Sequence, residues 1–390
     1  MSASDIEFEW VHIAYHSNAR FTETYGFSGS QGLTNLEGVL IRPVKRPSRT
    51  LLVFMHPAST LHLLPLPRAM AAAGHHVLCA GSRYQRNDTA LIMENVLLDL
   101  GEYIRTAKEK WGYQKVVLFG WSGGGSLAML YQAQAEKPTI VQTPAGDPID
   151  IKAAALLPID AILSVAAHAS RAQLLAEWID PSVLDENDPE KRDAALDLYT
   201  IGYAQKTDPY DRTWIRTYRA AQLSRMRRIT ERVLDQLDML RRRNGAERER
   251  GFVTHRTMAD PRFLDLTIDP NGRKRLWTYM GHPETVNSGP VGLARFSTLR
   301  SWLSQWSVDH SRANSLVTAS DVSIPALVME CGADDAVPAP HAGLIHERLS
   351  SSDKEYHCIR TANHYFSGQT HELREAVDII QNWLLTRSFE

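Results

Sequence analysis

The stretch from Val116 to Leu130, VVLFGWSGGGSLAML, changes character at a single serine. The residues before Ser122 are bulky or β-branched and uncharged, which is typical of a strand covered on both faces. Three glycines follow the serine, and then a run with the composition of a helix. Gly120–Gly124 fits the pattern G-x-S-x-G, whose expected context is a strand, a sharp turn and a helix. The sequence therefore predicts a very tight strand-to-helix turn centred on Ser122.

Apolar runs and helical patterns alternate through the first half of the chain. We predict strands at Leu36–Pro43, Thr50–Pro57, His75–Ser82, Lys115–Ser122 and Ala161–Ser170, an edge strand near Trp10–Ser17, and helices at Leu61–Ala73 and Ala90–Lys110. Such alternation favours an α/β fold whose central sheet is mostly parallel and is flanked by helices on both faces.

Residues 171–314 interrupt this alternation. The segment is charged and aromatic, and one amphipathic helix is predicted in it from an apolar stripe at Ile215, Leu223, Met226, Ile229, Val233, Leu237 and Leu240. The strand-like runs IPALVMECG and KEYHCIRT and a terminal helical pattern follow it. We therefore predict a discontinuous core of residues 1–170 and 315–390, with residues 171–314 as an inserted helical cap.

The charge balance narrows the class of partner. A formal net charge of −2 and a pI near 6.7 give no electrostatic argument for a nucleic-acid or anionic-membrane partner. An arginine cluster on the predicted cap helix is interleaved with acidic residues, so we interpret it as a solvated helix face with ion pairs. Its members are Arg225, Arg227, Arg228, Arg232, Arg241, Arg242 and Arg243.

Cysteine usage and the N-terminal composition indicate the compartment. Cys79, Cys331 and Cys358 each lie in an apolar, strand-like run, which does not suggest a disulfide framework. The chain shows no secretory signal and no apolar stretch near the roughly 18 residues of a spanning helix. We predict a cytoplasmic protein that acts on a small molecule without a metal or organic cofactor, and a homodimer stays open as its assembly.

A serine at such a turn needs help to act as a nucleophile. A histidine must accept its proton and a carboxylate must orient that histidine, in the chain order serine, acid, histidine for this motif. Both partners follow late strand-like runs, where Asp334 and Asp335 come after PALVMECG and His364 comes after YHCIRT. The sequence thus contains all three residue types in the required order.

With these motifs the chain resembles an α/β-hydrolase-fold serine hydrolase that carries a cap after the sixth core strand. The resemblance covers roughly Leu36–His168 and Asp321–Glu390. It implies that Ser122 is the nucleophile and His364 the general base. It also implies Asp335 as the acid, from the G-x-x-D spacing that begins at Gly332, with Asp334 as the alternative.

The same resemblance implies an oxyanion hole with two N–H donors. The first is Gly123, at a helix N-terminus where the dipole and unpaired donors suit a developing negative charge. The second belongs to the loop His56–Thr60, where Pro57 has no N–H and Ala58 is the expected donor by resemblance. This loop lacks the HGGG run of one esterase branch, which argues against that branch.

Further side chains are predicted to contact the substrate from the carboxyl ends of the strands. They are Trp121, His56, Ser59, Tyr84, His168 and Tyr365. Two of them have structural alternatives, because His56 also fits a residue that bonds loop backbone and His168 also fits packing beneath the cap. Asp88, in the loop with Tyr84, is predicted to cap the following helix.

The predicted reaction is acyl transfer to water through an acyl-enzyme. Ester or lactone cleavage is the first interpretation, with a small, largely apolar substrate enclosed by the aromatic cap. The same three residues could also cleave a carbon–carbon bond in a diketone-type substrate, or an amide or peptide bond. A ligand-binding module that keeps the fold without catalysis is the non-enzymatic alternative.

Overall fold

An eight-stranded sheet organises the computed structural model, which describes residues 6–16 and 33–389. The strands are β1 (Ile6–His16), β2 (Leu33–Pro43), β3 (Thr50–Met55), β4 (His76–Ala80), β5 (Lys115–Trp121), β6 (Ala161–Val165), β7 (Ala326–Cys331) and β8 (Lys354–Ile359). Their order across the sheet is β1-β2-β4-β3-β5-β6-β7-β8. Only β1 with β2 and β2 with β4 pair antiparallel. The predicted edge strand is confirmed as β1.

Ten helices accompany the sheet. They are α1 (Pro65–Ala72), α2 (Met93–Arg105), α3 (Gly124–Glu136), α4 (Arg171–Trp178), α5 (Arg212–Arg243), α6 (Pro283–Ser288), α7 (Leu299–Ser301), α8 (Ser315–Thr318), α9 (His341–Arg348) and α10 (Thr370–Thr386), among the described residues. A π-helical turn extends α2 through Thr106–Lys110 and another follows α7 at Trp302–Trp306. The predicted strand Ala161–Ser170 ends at Val165, because Ala166 adopts a left-handed φ of 47° that leaves the extended conformation.

The central strands β3 to β6 are apolar on both faces because helices cover both faces. In β3, Leu51 and Val53 pack with α2 and α3, whereas Leu52 and Phe54 pack on the opposite face with α1 and α10. This alternation follows from the two-residue period of a strand. The layered arrangement, the strand order and the strand–turn–helix after β5 confirm the α/β-hydrolase fold.

The helical segment, residues 171–314, contains α4 to α7 and two short antiparallel ribbons. The ribbons pair Val183–Asp185 with Asp188–Arg192, and Gly251–Val253 with Phe296–Thr298. The predicted amphipathic helix is α5, and most of its predicted stripe is buried: Met226, Ile229, Val233, Leu237 and Leu240. Leu223 is 37% exposed and was wrongly assigned to the stripe, since Gln222 takes the buried position.

Arg225 corrects the interpretation of the arginine cluster as a solvated face. Its side chain is buried and forms two hydrogen bonds to the Glu186 carboxylate and others to backbone carbonyls. Arg225 lies three and four residues from Gln222 and Ile229, so all three share the inward face of α5. Arg227 does follow the prediction, because it is exposed and pairs with Asp309.

Three further observations bear on the sequence predictions. All three cysteines are unpaired thiols; Cys79 and Cys331 are buried, but Cys358 is exposed. No helix within residues 6–16 and 33–389 combines the length and the apolar character that a bilayer span requires. The division into a core and a cap at residues 171 and 314 stays a prediction.

Candidate active site

The turn between β5 and α3 has the backbone strain that the sequence predicts. Ser122 has a left-handed φ of 52°, which is unfavourable for a residue with a side chain. The glycines are sterically required: a Cβ on Gly120 would lie 2.6 Å from the Gly125 Cα, and one on Gly124 would lie 2.1 Å from the Met55 carbonyl oxygen. The turn therefore lifts the serine hydroxyl above the carboxyl end of the sheet.

Ser122, His364 and Asp334 form a continuous chain of contacts. The His364 Nε2 lies 3.2 Å from the Ser122 Oγ, and the His364 Nδ1 lies 2.9 Å from the Asp334 Oδ2. Both the imidazole and the carboxylate are almost fully buried. The second carboxylate oxygen of Asp334 accepts hydrogen bonds from the N–H groups of Ala336 and Val337 at 2.8 and 2.7 Å. These bonds fix the carboxylate so that it can orient the imidazole.

Asp335, the acid that the resemblance implied, does not contact the imidazole ring. Its Oδ1 is 3.4 Å from the backbone N–H of His364, and its own carbonyl accepts the N–H of Tyr279. Burial, and then the neighbouring Asp334 carboxylate, raise the pKa of Asp335. The geometry thus favours Asp334, because the turn after β7 points the side chain of Asp334, rather than that of Asp335, at the ring.

The two expected oxyanion donors differ in their surroundings. Gly123 is the N-cap residue of α3, so its N–H lies at the helix N-terminus beside the serine. The N–H of Ala58 instead donates to the Nδ1 of His56 at 3.1 Å, and the N–H of Ser59 donates to the same nitrogen at 2.9 Å. The N–H that the resemblance assigned to the oxyanion is therefore engaged within its own loop.

A cavity of about 480 Å³ opens onto the Ser122 hydroxyl. Besides Ser122, the lining includes these residues that the sequence predicts for the site: His56, Ala58, Ser59, Trp121, His168, His364 and Tyr365. Tyr84 was predicted there but is not part of the lining. It is buried in the core beside α2, and its hydroxyl accepts a hydrogen bond from Asn95. The loop after β4 turns this side chain inward, toward apolar neighbours.

Aromatic rings form one wall of the cavity. The Trp121 ring lies 4.7 Å from the His364 ring and 5.3 Å from the Tyr365 ring, centroid to centroid. The centroid of the Tyr279 ring is 5.9 Å from that of His364 and 5.9 Å from that of Tyr365. Burial raises the pKa of Tyr279 to about 12, so its hydroxyl is neutral and can donate or accept. The base is thus enclosed by apolar surface.

Arg171 and Asp88 are charged lining residues that sequence reasoning missed. Both line the cavity, their side chains form an ion pair, and the guanidinium carbon lies 4.3 Å from the centroid of the Trp306 ring. Burial lowers the pKa of Arg171. Asp88 was predicted to cap a helix, but α2 has Ile92 as its N-cap residue. The position of Asp88 in the loop after a strand could have indicated that it belongs to the site. No sequence pattern marked Arg171 as a site residue.

Two histidines complete the surroundings of Ser122. His168 is buried, and its Nδ1 has no hydrogen-bond partner in the described part of the chain. Burial strongly lowers the pKa of both His56 and His168, and the nearby Arg171 charge lowers both further. Both rings are therefore neutral near pH 7. No group of three or more His, Cys, Asp or Glu side chains in residues 6–16 and 33–389 is arranged to hold a metal ion.

Comparison with known proteins adds similarity of fold only. No protein-family model matches the chain, and no curated protein matches it. A monoacylglycerol lipase from Paleococcus ferrophilus is similar at 14% identity and a TM-score of 0.45, over 90% of this chain and 99% of the lipase. Est1E from Butyrivibrio proteoclasticus is similar at 12% identity and a TM-score of 0.48, over 96% of this chain and 100% of Est1E.

A third similar structure is the esterase domain of a Rhodothermus marinus protein, at 12% identity and a TM-score of 0.44, over 96% of this chain and 98% of the domain. Likeness at this level carries no argument about activity. The chain is an α/β-hydrolase-fold protein on the evidence of its own strand order and of the turn at Ser122.

Proposed function

We propose that the protein is a serine hydrolase that cleaves an ester or lactone bond in a small, largely apolar substrate. The observation that supports this proposal is the chain of contacts from the Ser122 hydroxyl through His364 to Asp334, at the edge of a cavity. A hydroxyl, a buried imidazole and a fixed carboxylate in this order are the components of nucleophilic acyl transfer.

Each group has a defined task in the proposed reaction. His364 accepts the proton of Ser122 through Nε2 as the serine oxygen attacks the substrate carbonyl carbon. Asp334 accepts the Nδ1–H bond, which keeps the proton-accepting nitrogen directed at the serine. The negative charge that develops on the carbonyl oxygen is stabilised by the N–H of Gly123. His364 then protonates the departing alcohol, and water hydrolyses the acyl-enzyme by the reverse sequence.

The cavity supports a compact substrate. Its volume of about 480 Å³ lies within the range of small-molecule sites. Apolar contacts come from both the sheet edge and the helical segment: Trp121, Leu174, Trp178, Leu293, Trp306 and Tyr365. The Arg171–Asp88 pair would orient a polar group of the substrate, since the buried guanidinium and the partly exposed carboxylate still have hydrogen-bonding capacity for a ligand.

An activity-based probe tests this proposal directly. We expect a fluorophosphonate to label the wild-type protein and not Ser122→Ala, because only an activated serine reacts at a useful rate. Ser126→Ala is the matched control, since Ser126 is a buried serine near the start of α3 that contacts the Gly123 carbonyl and should not be needed for labelling. An unlabelled wild-type protein would favour the ligand-binding alternative.

The bond that is cleaved requires a substrate panel. Purified protein is assayed with short-chain p-nitrophenyl esters, lactones, anilides and a β-diketone of similar size. We expect the esters or lactones to be hydrolysed with the highest kcat/KM, and Ser122→Ala to remove that activity. If the protein instead hydrolysed the diketone or the anilide best and was still labelled, Ser122 would remain the proposed nucleophile. The proposed substrate class would then be wrong.

A further inference from the structure

We propose that the Nε2–H of His56 is the second oxyanion donor of this site, in place of a second backbone N–H. The inference rests on the proposed function, because an oxyanion forms only if Ser122 attacks a carbonyl. It concerns the loop that follows β3, where the expected donor Ala58 is already bonded.

The hydrogen bonds of His56 fix which ring nitrogen carries the proton. Its Nδ1 accepts two backbone N–H groups, from Ala58 at 3.1 Å and from Ser59 at 2.9 Å. A nitrogen that accepts hydrogen bonds has no proton of its own, so the proton of the neutral ring is on Nε2. The loop thus presents an imidazole N–H rather than a backbone N–H to its surroundings.

This N–H lies beside the residue that supplies the first oxyanion donor. A methyl group built on Gly123 would lie 2.7 Å from the His56 Nε2, so this nitrogen packs directly against the residue that supplies the first donor. His56 also lines the cavity that contains Ser122. Within residues 6–16 and 33–389 the hydrogen bonds of the His56 ring are both at Nδ1, which leaves the Nε2–H available to a ligand.

The electrostatic surroundings keep this donor neutral. Burial, then the charge of Arg171, then His364 lower the pKa of His56 well below its ordinary value. His168 also faces Gly123 and is neutral for similar reasons. A neutral donor on a fixed loop does not change its protonation during the reaction, so it stabilises the oxyanion without reorganisation.

Substitution of His56 by asparagine or glutamine separates the roles of its two ring nitrogens: Nδ1 accepts from the loop, and Nε2 would donate to the oxyanion. In His56→Asn the Oδ1 occupies the place of Nδ1 and can accept the loop N–H groups, but no donor reaches the place of Nε2. In His56→Gln the amide nitrogen reaches the place of Nε2 as a donor, but the acceptor for the loop is lost. A residue that only supports the loop would tolerate asparagine better than glutamine.

If His56 donates to the oxyanion, His56→Asn should lose about 10²- to 10³-fold in kcat with little change in KM, at an unfolding midpoint close to that of the wild type. His56→Gln should retain more kcat than His56→Asn. A loss below about tenfold in His56→Asn, or a lower kcat in His56→Gln than in His56→Asn, would overturn the inference.

A structure of the wild-type protein provides a test that does not depend on how the variants fold. After reaction with an alkyl fluorophosphonate, the phosphonyl oxygen mimics the oxyanion, and we expect it within about 3.2 Å of both the Gly123 nitrogen and the His56 Nε2. An oxygen bonded to the Ala58 N–H and distant from His56 would overturn the inference and keep the proposed function. Failure of the wild type to react would contradict the proposed function itself.

Discussion

The sheet region and the helical segment bury different kinds of side chain. Strands and flanking helices of the sheet meet through apolar side chains on both faces, whereas the helical segment buries many charged ones. All the buried arginines of the described residues lie within 171–314: Arg171, Arg225, Arg256, Arg262, Arg273, Arg295 and Arg300. The sheet is thus specified mainly by apolar periodicity, and the segment also by the positions of its ion pairs.

Several of the buried arginines are held by buried or largely buried carboxylates. Arg256 pairs with Asp180 at 2.7 Å, and Arg262 pairs with both Asp260 and Glu177. Removing a charge from water is costly unless the partner geometry is good, so such pairs add little net stability but strongly disfavour packings in which they are broken. We infer that the ion pairs select the arrangement of the segment rather than supply most of its stability.

The largest expected effect of a single change lies at the edge of the sheet. We predict that Asp334→Asn lowers kcat by about 10⁴-fold, because an amide at this position favours the wrong tautomer of His364. Steady-state kinetics on the best ester of the panel measures it. The free energy of unfolding should change little relative to this loss, which would show that the sheet edge contributes chemistry.

Asp335→Asn is the matched control for this prediction, since Asp335 lies one residue away and its side chain accepts from the backbone N–H of His364 rather than from the ring. We expect a loss below about tenfold in kcat. A larger loss in Asp335→Asn than in Asp334→Asn would restore the assignment that the G-x-x-D spacing suggested.

The next effect concerns stability in the helical segment. We predict that Arg225→Met lowers the free energy of unfolding by about 3–5 kcal/mol, because it leaves the nearly buried Glu186 carboxylate without its main partner. Urea denaturation followed by circular dichroism measures the change. Arg227→Met on the same helix should leave the midpoint unchanged, since that side chain is exposed.

A second substitution shows whether the unpaired charge is the cause. Adding Glu186→Gln to Arg225→Met should recover part of the lost free energy, because a neutral amide costs less to bury than a carboxylate. If Arg225→Met matched Arg227→Met, the ion pairs would not distinguish the segment from the sheet region.

The smallest effect is a difference in acid sensitivity between the two regions. Burial, then Arg46, lower the pKa of His75 from 6.5 to about 4, so the folded protein favours the neutral ring. Its contribution to stability is complete above pH 6.5 and is lost as the pH falls toward 4. In His75→Gln the free energy of unfolding should therefore decrease less steeply over this range, by at most about 1.4 kcal/mol per pH unit.

Glu177 provides the comparison from the helical segment. Burial alone would raise its pKa, but Arg262 and His341 hold the pKa well below the ordinary value of 4.5. Its contribution is thus complete above pH 4.5 and is lost only at lower pH. Glu177→Gln should therefore change the slope below pH 4.5. Equal slopes for wild type and His75→Gln would show that His75 does not contribute.

Much of the sheet region could be predicted from local patterns. Strands such as β3 and β5 are short apolar runs, and the motif around Ser122 fixes both the turn and the order of the partners. The choice between Asp334 and Asp335 could not be predicted, because both follow β7 and only the turn decides which side chain meets the ring. Arg171 and Tyr279 reach the cavity through the packing of the helical segment, which no local pattern encodes.

The close approach of Gly124 to Met55 has a consequence for precision. Because a glycine α-carbon there touches the main chain at the end of β3, the serine turn and the neighbouring loop abut without any intervening side chain. Their separation is therefore set by two polypeptide backbones in van der Waals contact, and such close packing leaves little room for adjustment. A negative charge that develops between the turn and the loop therefore meets hydrogen-bond donors whose spacing is already fixed in the folded protein.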